Sequence, residues 1–317
     1  MHRTRHTLPA ALAGLLLLTA CGTEHQGAAG GGGATPTAGC GARPETPASP
    51  AEDGVTLTGT GMTGGPAAST APGTGTESVT GDGPRPCAAY SLTSREAEPF
   101  TYTVTLQFLS EAGEAMTSAE DTVPAVAPGA TVRRTVTAGD LPPGSARIAR
   151  AKVVKVRSVP TTEAPAEGGA CPPSGVRVYA DQGDAAMGLR VVGLHLENCG
   201  TATYRLDGHP RVELRDEDHD RVDGVTVLRG GEAVATGTGA DGPARPLALK
   251  PGERAYAGLV WRNTAEAGAP VNAPYARVWA KPGAAPVTVV PEFDLGTTGR
   301  LGVGPWKKEE GADPQRR

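Results

Sequence analysis

The most charged stretch of the sequence reads Asp216-Glu217-Asp218-His219-Asp220-Arg221-Val222-Asp223-Gly224. It is a run of oxygen donors of the kind that hard cations such as Ca²⁺ take. An EF-hand loop counted from Asp216 would need glycine at its sixth position and glutamate at its twelfth, and Arg221 and Val227 stand there instead. The stretch therefore reads as a solvated hairpin tip between strands carrying Val212/Leu214 and Val225/Val227, with an irregular Ca²⁺ site as the sharper alternative. His195, His209 and His219 have neither H-E-x-x-H nor helical i,i+4 spacing, so they read as surface histidines before zinc ligands or catalytic bases. No G-x-S-x-G or S-x-x-K is present, and no glycine-rich stretch follows a strand and opens a helix to cradle phosphate. No residue is assigned to catalysis, to a cofactor or to a metal.

Trp261, Trp279 and Tyr275 are the aromatics whose exposure would matter, because flat rings stack on sugar faces or anchor a protein partner. Ala255, Ala257, Leu259 and Trp261 share one face of a strand, and Tyr275, Arg277 and Trp279 alternate with Ala276, Val278 and Ala280. Core aromatics of a β-sandwich have the same pattern, and that is the favoured reading.

Beyond Cys21 there are four cysteines, Cys40, Cys87, Cys171 and Cys199. Four cysteines allow three connectivities, and their wide spacing matches no C-x-x-C metal or redox motif. The preferred pairs are Cys171–Cys199, inside one expected domain, and Cys40–Cys87, across the glycine-rich segment.

Arg3 and Arg5 precede an apolar run from Ala10 to Ala20, far short of the roughly 20 residues that span a bilayer. Its length is that of a signal-peptide core. It ends in Leu18-Thr19-Ala20-Cys21, which resembles the lipobox of bacterial lipoproteins. The resemblance implies diacylglycerol on the Cys21 thiol, cleavage before it, and a protein held to the outer face of the cytoplasmic membrane. Taking Arg3 and Arg5 from the 30 basic residues leaves 28 against 34 Asp+Glu, a net charge of −6. A mildly acidic chain argues against nucleic acid as a partner and against a polybasic grip on lipid. The arginine, alanine, glycine and proline bias resembles that of a high-GC actinobacterium.

The elements that must position these residues are strands. Phe100, Tyr102, Val104, Leu106 and Phe108 alternate with Thr101, Thr103, Thr105 and Gln107, which puts every large apolar group on one face. Strands are also expected around 123–126, 132–136 and 148–159, between turns at Pro128-Gly129 and Pro142-Pro143-Gly144. This pattern resembles small immunoglobulin-like modules of secreted bacterial proteins. Further strands are expected at 176–180, 188–198, 210–215, 221–228, 253–262, 274–280 and 286–291. From Gly22 to Ala89 there is no Phe, Tyr, Trp or Ile, and such a segment buries too little apolar surface to order itself. Gly54–Thr58 is the exception, a candidate first strand.

Gly188-Leu189-Arg190, Leu194–Gly200, Leu206–Pro210 and Pro251–Trp261 together resemble an actinobacterial lipoprotein domain of unknown function, the family numbered 4232. The ending Asp294–Trp306 is similar to that of a subset. The resemblance covers 171–306 and implies a sandwich fold and surface display, without an established activity. Tyr204 stands where the family often has a cysteine, and Cys199 supplies the disulfide partner from nearby. His209 replaces a family tyrosine.

The expected fold is all-β: two immunoglobulin-like antiparallel β-sandwich modules behind a signal peptide and a disordered tether. The boundaries are signal peptide 1–20, tether 21–86, first module 87–160, linker 161–170, second domain 171–306 and charged tail 307–317. The expected function is that of a non-enzymatic, lipid-anchored binding or scaffolding protein of the cell envelope. Its partners are the membrane, through the N-terminal lipid, and an unknown envelope protein or cell-wall glycan, met through loops such as 216–224 and 229–245. The alternatives are a secreted hydrolase on a β scaffold and a solute-binding lipoprotein of a transporter. The latter usually needs alternating β and α elements.

Overall fold

The computed structural model describes residues 40, 43–44, 53–63, 85–142, 144–265 and 267–309. The expected signal peptide, Cys21, most of the tether and the end of the tail lie outside them. The described residues are all-β, with one 3₁₀ turn at Thr161–Glu163, and among them no helix is long and apolar enough to cross a membrane.

The N-terminal region is built from β1 (Arg43–Pro44), β2 (Val55–Thr63), β3 (Arg85–Thr93), β4 (Phe100–Ser110), β5 (Ala115–Val126), β6 (Thr131–Thr137) and β7 (Ile148–Pro160). They form two antiparallel sheets, ordered β1-β2-β3-β6 and β5-β4-β7. The alternation in β4 does what its period demands: Phe100, Tyr102, Val104, Leu106 and Phe108 all face one core with Val55, Leu57, Tyr90 and Leu92 from the other sheet. A clip ties the sheets at one side, where Tyr90 Oη donates to Asp121 Oδ2 at 2.7 Å and Arg134 donates to both Asp121 oxygens.

The sequence reading of a tether through residue 86 gives way here. β2 and the start of β3 lie inside that stretch, because Val55 and Leu57 are enough to dock a glycine- and threonine-rich strand onto an existing face. The turn into β2 needs Gly54, with φ +80° and a Cβ position only 2.4 Å from the Thr93 carbonyl oxygen. A Cys40–Cys87 disulfide fastens the segment before β1 to β3, with Cα atoms 5.9 Å apart.

The C-terminal region begins with β8 (Val176–Ala180), β9 (Asp184–Ala186), β10 (Leu189–Asn198), β11 (Tyr204–Leu206) and β12 (Arg211–Arg215). Next come β13 (Thr226–Arg229), β14 (Leu247–Leu249), β15 (Arg254–Arg262), β16 (Asn272–Ala273) and β17 (Tyr275–Trp279). It ends with β18 (Val287–Val289), β19 (Phe293–Asp294), β20 (Arg300–Val303) and β21 (Lys307–Lys308). The large sheet runs β13-β20-β15-β10-β8, with β21 also on β15 and β9 on β10; only β13–β20 is parallel. Opposite lies the three-stranded sheet β12-β17-β18, giving a β-sandwich-like body around Leu194, Leu196, Leu259, Trp261, Phe293 and Trp306. Both buried indoles are satisfied: Trp261 Nε1 donates to Asp294 Oδ1 at 2.8 Å and Trp306 Nε1 to the Ala280 carbonyl at 2.9 Å. A Cys171–Cys199 disulfide closes the entry to β8 onto the end of β10.

Two other boundaries move. Lys307–Lys308, expected to open the charged tail, pairs with β15 as β21. The 229–245 segment, expected to be a free recognition loop, folds onto the outer face of the large sheet and seats Ala240, fully buried, against Gly258 and Gly304. Those positions have no side chain, and so the loop backbone comes within contact of the sheet.

Candidate binding face

The linker expected at 161–170 is instead part of a joint between the two regions. β7 runs straight into the Thr161–Glu163 turn, and Glu163 reaches across to take a two-pronged hydrogen bond from Arg277 and one from Thr288 Oγ1 at 2.8 Å. Arg157 faces Glu292 with Nε–Oε1 at 2.8 Å and Nη2–Oε2 at 3.0 Å. Burial alone would raise the Glu292 carboxyl, but Arg157 and Lys155 outweigh it and hold it below the usual carboxylate value. The Ser158 backbone N–H donates to Tyr275 Oη at 3.1 Å.

His219 completes the joint. Its ring lies 4.5 Å from Tyr275, near-parallel, and 5.2 Å edge-on from Phe100, with Nε2 3.1 Å from Ser158 Oγ. Burial lowers its pKa, so the neutral ring is the favoured form. The surface reading of His219 is thereby corrected: the acidic turn that carries it closes over the N-terminal region. Asp216 Oδ1 accepts the N–H groups of Asp218 and Asp220, and Arg215 donates to the His219 carbonyl at 2.6 Å, so these groups shape the turn. His219 and Glu292 both hold positive φ, 63° and 55°, which places backbone strain at the joint itself. Among the described residues no group of three or more His, Cys, Asp and Glu is arranged to hold a metal ion.

His195 also departs from a plain surface histidine. It projects from the outer face of β10, Nε2 3.0 Å from Asp181 Oδ2 and Nδ1 2.6 Å from Glu309 Oε1, and stacks on Tyr179 with centroids 5.0 Å apart. Burial acts to lower its pKa, but the two carboxylates prevail and raise it. In its protonated form the ring donates from both nitrogens and clasps the segment after β21 onto β10. His209 sits in the turn before β12, its pKa lowered by burial and by Arg229.

The joint covers only half of the outer face of the β12-β17-β18 sheet. Register places Arg211 opposite Trp279 and Arg215 opposite Tyr275, so Tyr275 and Thr288 lie under the joint while Trp279 lies beyond it. Trp261 and Tyr275 are thus core or joint residues; Trp279 is half-buried on an open surface. The Arg211 guanidinium stands 4.3 Å from the Trp279 ring centre and that of Arg277 5.1 Å. Arg277 is neutralised by Glu163 and Arg215 by Glu213 at 2.7 Å. Arg211 is 70% exposed, and its nearest carboxylate, also Glu213, is 3.6 Å away. Just past Trp279, Lys281 Nζ lies 3.8 Å over the Tyr204 ring and donates to the Arg205 carbonyl. Arg205, Lys281, Leu247, Pro246 and Pro282 wall an open cavity of about 310 Å³, with Asp207 as its carboxylate. The sequence singled out Trp279 with Arg277 on the same strand face, but Arg211, the nearer cation, comes from β12 and carries no local spacing signal.

Residues 171–307 match the family described as Domain of unknown function (DUF4232). No curated protein and no solved structure matches the chain.

Proposed function

We propose that this is a non-enzymatic binding or scaffolding protein of the cell envelope, lipid-anchored through Cys21 to the outer face of the cytoplasmic membrane. In this reading it is an actinobacterial lipoprotein whose two immunoglobulin-like β-sandwich modules act as one rigid body on a tether. The observation that carries it is the joint: Arg157–Glu292, Glu163–Arg277 and the Ser158–His219–Tyr275 cluster fix one region on the other. Rigid presentation lowers the ordering cost of binding, which is what a display protein needs. The partner would be an envelope protein or a cell-wall glycan. Cross-linking on intact cells that express the protein, followed by mass spectrometry, compares wild type with Cys21→Ala. The reading expects one reproducible protein or glycan adduct, lost with the anchor. Equal surface retention of Cys21→Ala, or no specific adduct from surface-exposed protein, would refute it.

A further inference from the structure

We infer that the open half of the β12-β17-β18 sheet, from Arg211 and Trp279 to the Lys281–Arg205 cavity, binds a phosphate-bearing glycan. The inference rests on the proposed envelope location and narrows its partner to an anionic polysaccharide.

Three features carry it. First, the chain has a net charge of −4, yet Lys281 and Arg205 face the single carboxylate Asp207 in the cavity lining, and Arg211 beside Trp279 shares Glu213 with Arg215. Second, the Arg211 guanidinium is oriented by the Trp279 ring and makes no hydrogen bond among the described residues. A guanidinium fixed by stacking, with its donors facing solvent, suits two-pronged recognition of a phosphate. Third, the two cationic points are offset along the chain. Arg211 stands over Trp279 at the end of β17, and Lys281 follows two residues later in the bend that leaves the strand, so anions repeated along a flexible polymer can engage both. The Leu247, Pro246 and Pro282 wall offers an apolar surface to the C–H face of a sugar, in a cavity of about 310 Å³, at the small end for ligand sites. Anions alone would need the cations but not that wall.

The test uses the purified full-length protein and three probes: phosphorylated dextran, neutral dextran of equal length and single-stranded DNA. Phosphorylated dextran should bind, neutral dextran should bind far more weakly, and added salt should weaken the interaction. Arg211→Ala should lose roughly tenfold in affinity, equivalent to about 1.4 kcal/mol. Arg211→Lys should recover little of that loss, because lysine keeps the charge without the fork. Arg95→Ala, in the N-terminal region, should leave binding unchanged. Equal binding of neutral dextran, DNA binding as tight as that of phosphorylated dextran, no binding, or equal losses in the Arg211 and Arg95 variants would overturn the inference. Such a failure alongside Cys21-dependent adducts on cells would leave the envelope reading intact; binding in vitro without those adducts would separate the two the other way.

Discussion

Arg157 and Glu292 lie 135 residues apart in the chain and meet in a parallel two-pronged contact, Nε–Oε1 2.8 Å and Nη2–Oε2 3.0 Å. Glu292 holds φ +55° to make it. The pair joins the last strand of one β region to the loop before β19 of the other.

Glu292→Gln keeps the shape but removes the charge that Arg157 faces. With side-chain exposures of 17% and 34%, the pair is partly screened, so the expected cost is about 1–2 kcal/mol. For a body of this size that is a fall in melting temperature of roughly 3–6 °C. An unchanged melt would mean that the contact contributes nothing to coupling.

The joint should weaken in mild acid through His219. Its folded pKa is depressed below the ordinary value of 6.5, so its stabilising contribution is complete above that value and declines as pH falls toward the folded pKa. His195 has the opposite sign. Its folded pKa is raised, so its contribution is complete below 6.5 and declines as pH rises through the folded pKa. Melting curves across pH 5–8 should therefore separate His219→Gln, which flattens the acid-side loss, from His195→Gln, which flattens the alkaline-side loss. Parallel profiles for both variants and wild type would contradict these assignments.

Much of this was legible in the sequence, and what was missed has a common cause. β4 declared itself because Phe100 to Phe108 alternate strictly, and β8, β10, β12, β15 and β17 fell close to their expected spans. β2 was legible only in its first half, as the Gly54–Thr58 candidate, because Val55 and Leu57 are its buried apolar anchors and the rest of the strand to Thr63 is glycine- and threonine-rich. β21 was hidden by two lysines, whose backbone pairs with β15 whatever their side chains do. The joint and the His195 clasp depend mostly on residues far apart in the chain, 61 positions for Ser158–His219, 114 for His195–Glu309 and 135 for Arg157–Glu292, and no local period encodes such a meeting.

Each disulfide closes a long loop, with sequence separations of 47 for Cys40–Cys87 and 28 for Cys171–Cys199. Loop entropy alone gives each about 3–4 kcal/mol of stabilisation. Cys171→Ser with Cys199→Ser should lower the denaturant midpoint substantially, measured against the same protein with both bonds intact. A midpoint shift worth under about 1 kcal/mol would show that the unfolded chain is already compact there.

Gly304→Ala should displace the loop that crosses the large sheet. A Cβ there would stand 2.8 Å from Ala240 Cα, a backbone atom with no freedom to swing aside. The expected cost is about 1–3 kcal/mol, together with faster amide exchange across residues 231–241. Unaltered exchange in that segment would show that the loop is not held by this seat.

The most direct test of a single rigid body is the distance distribution between two spin labels, one in each region. Glu111→Cys and Met187→Cys, in a Cys21→Ala background, place both labels on exposed turns. At neutral pH the account expects one narrow distance, and a broadened one when Arg157→Ala is added. A broad distribution in the protein with its joint intact would contradict it.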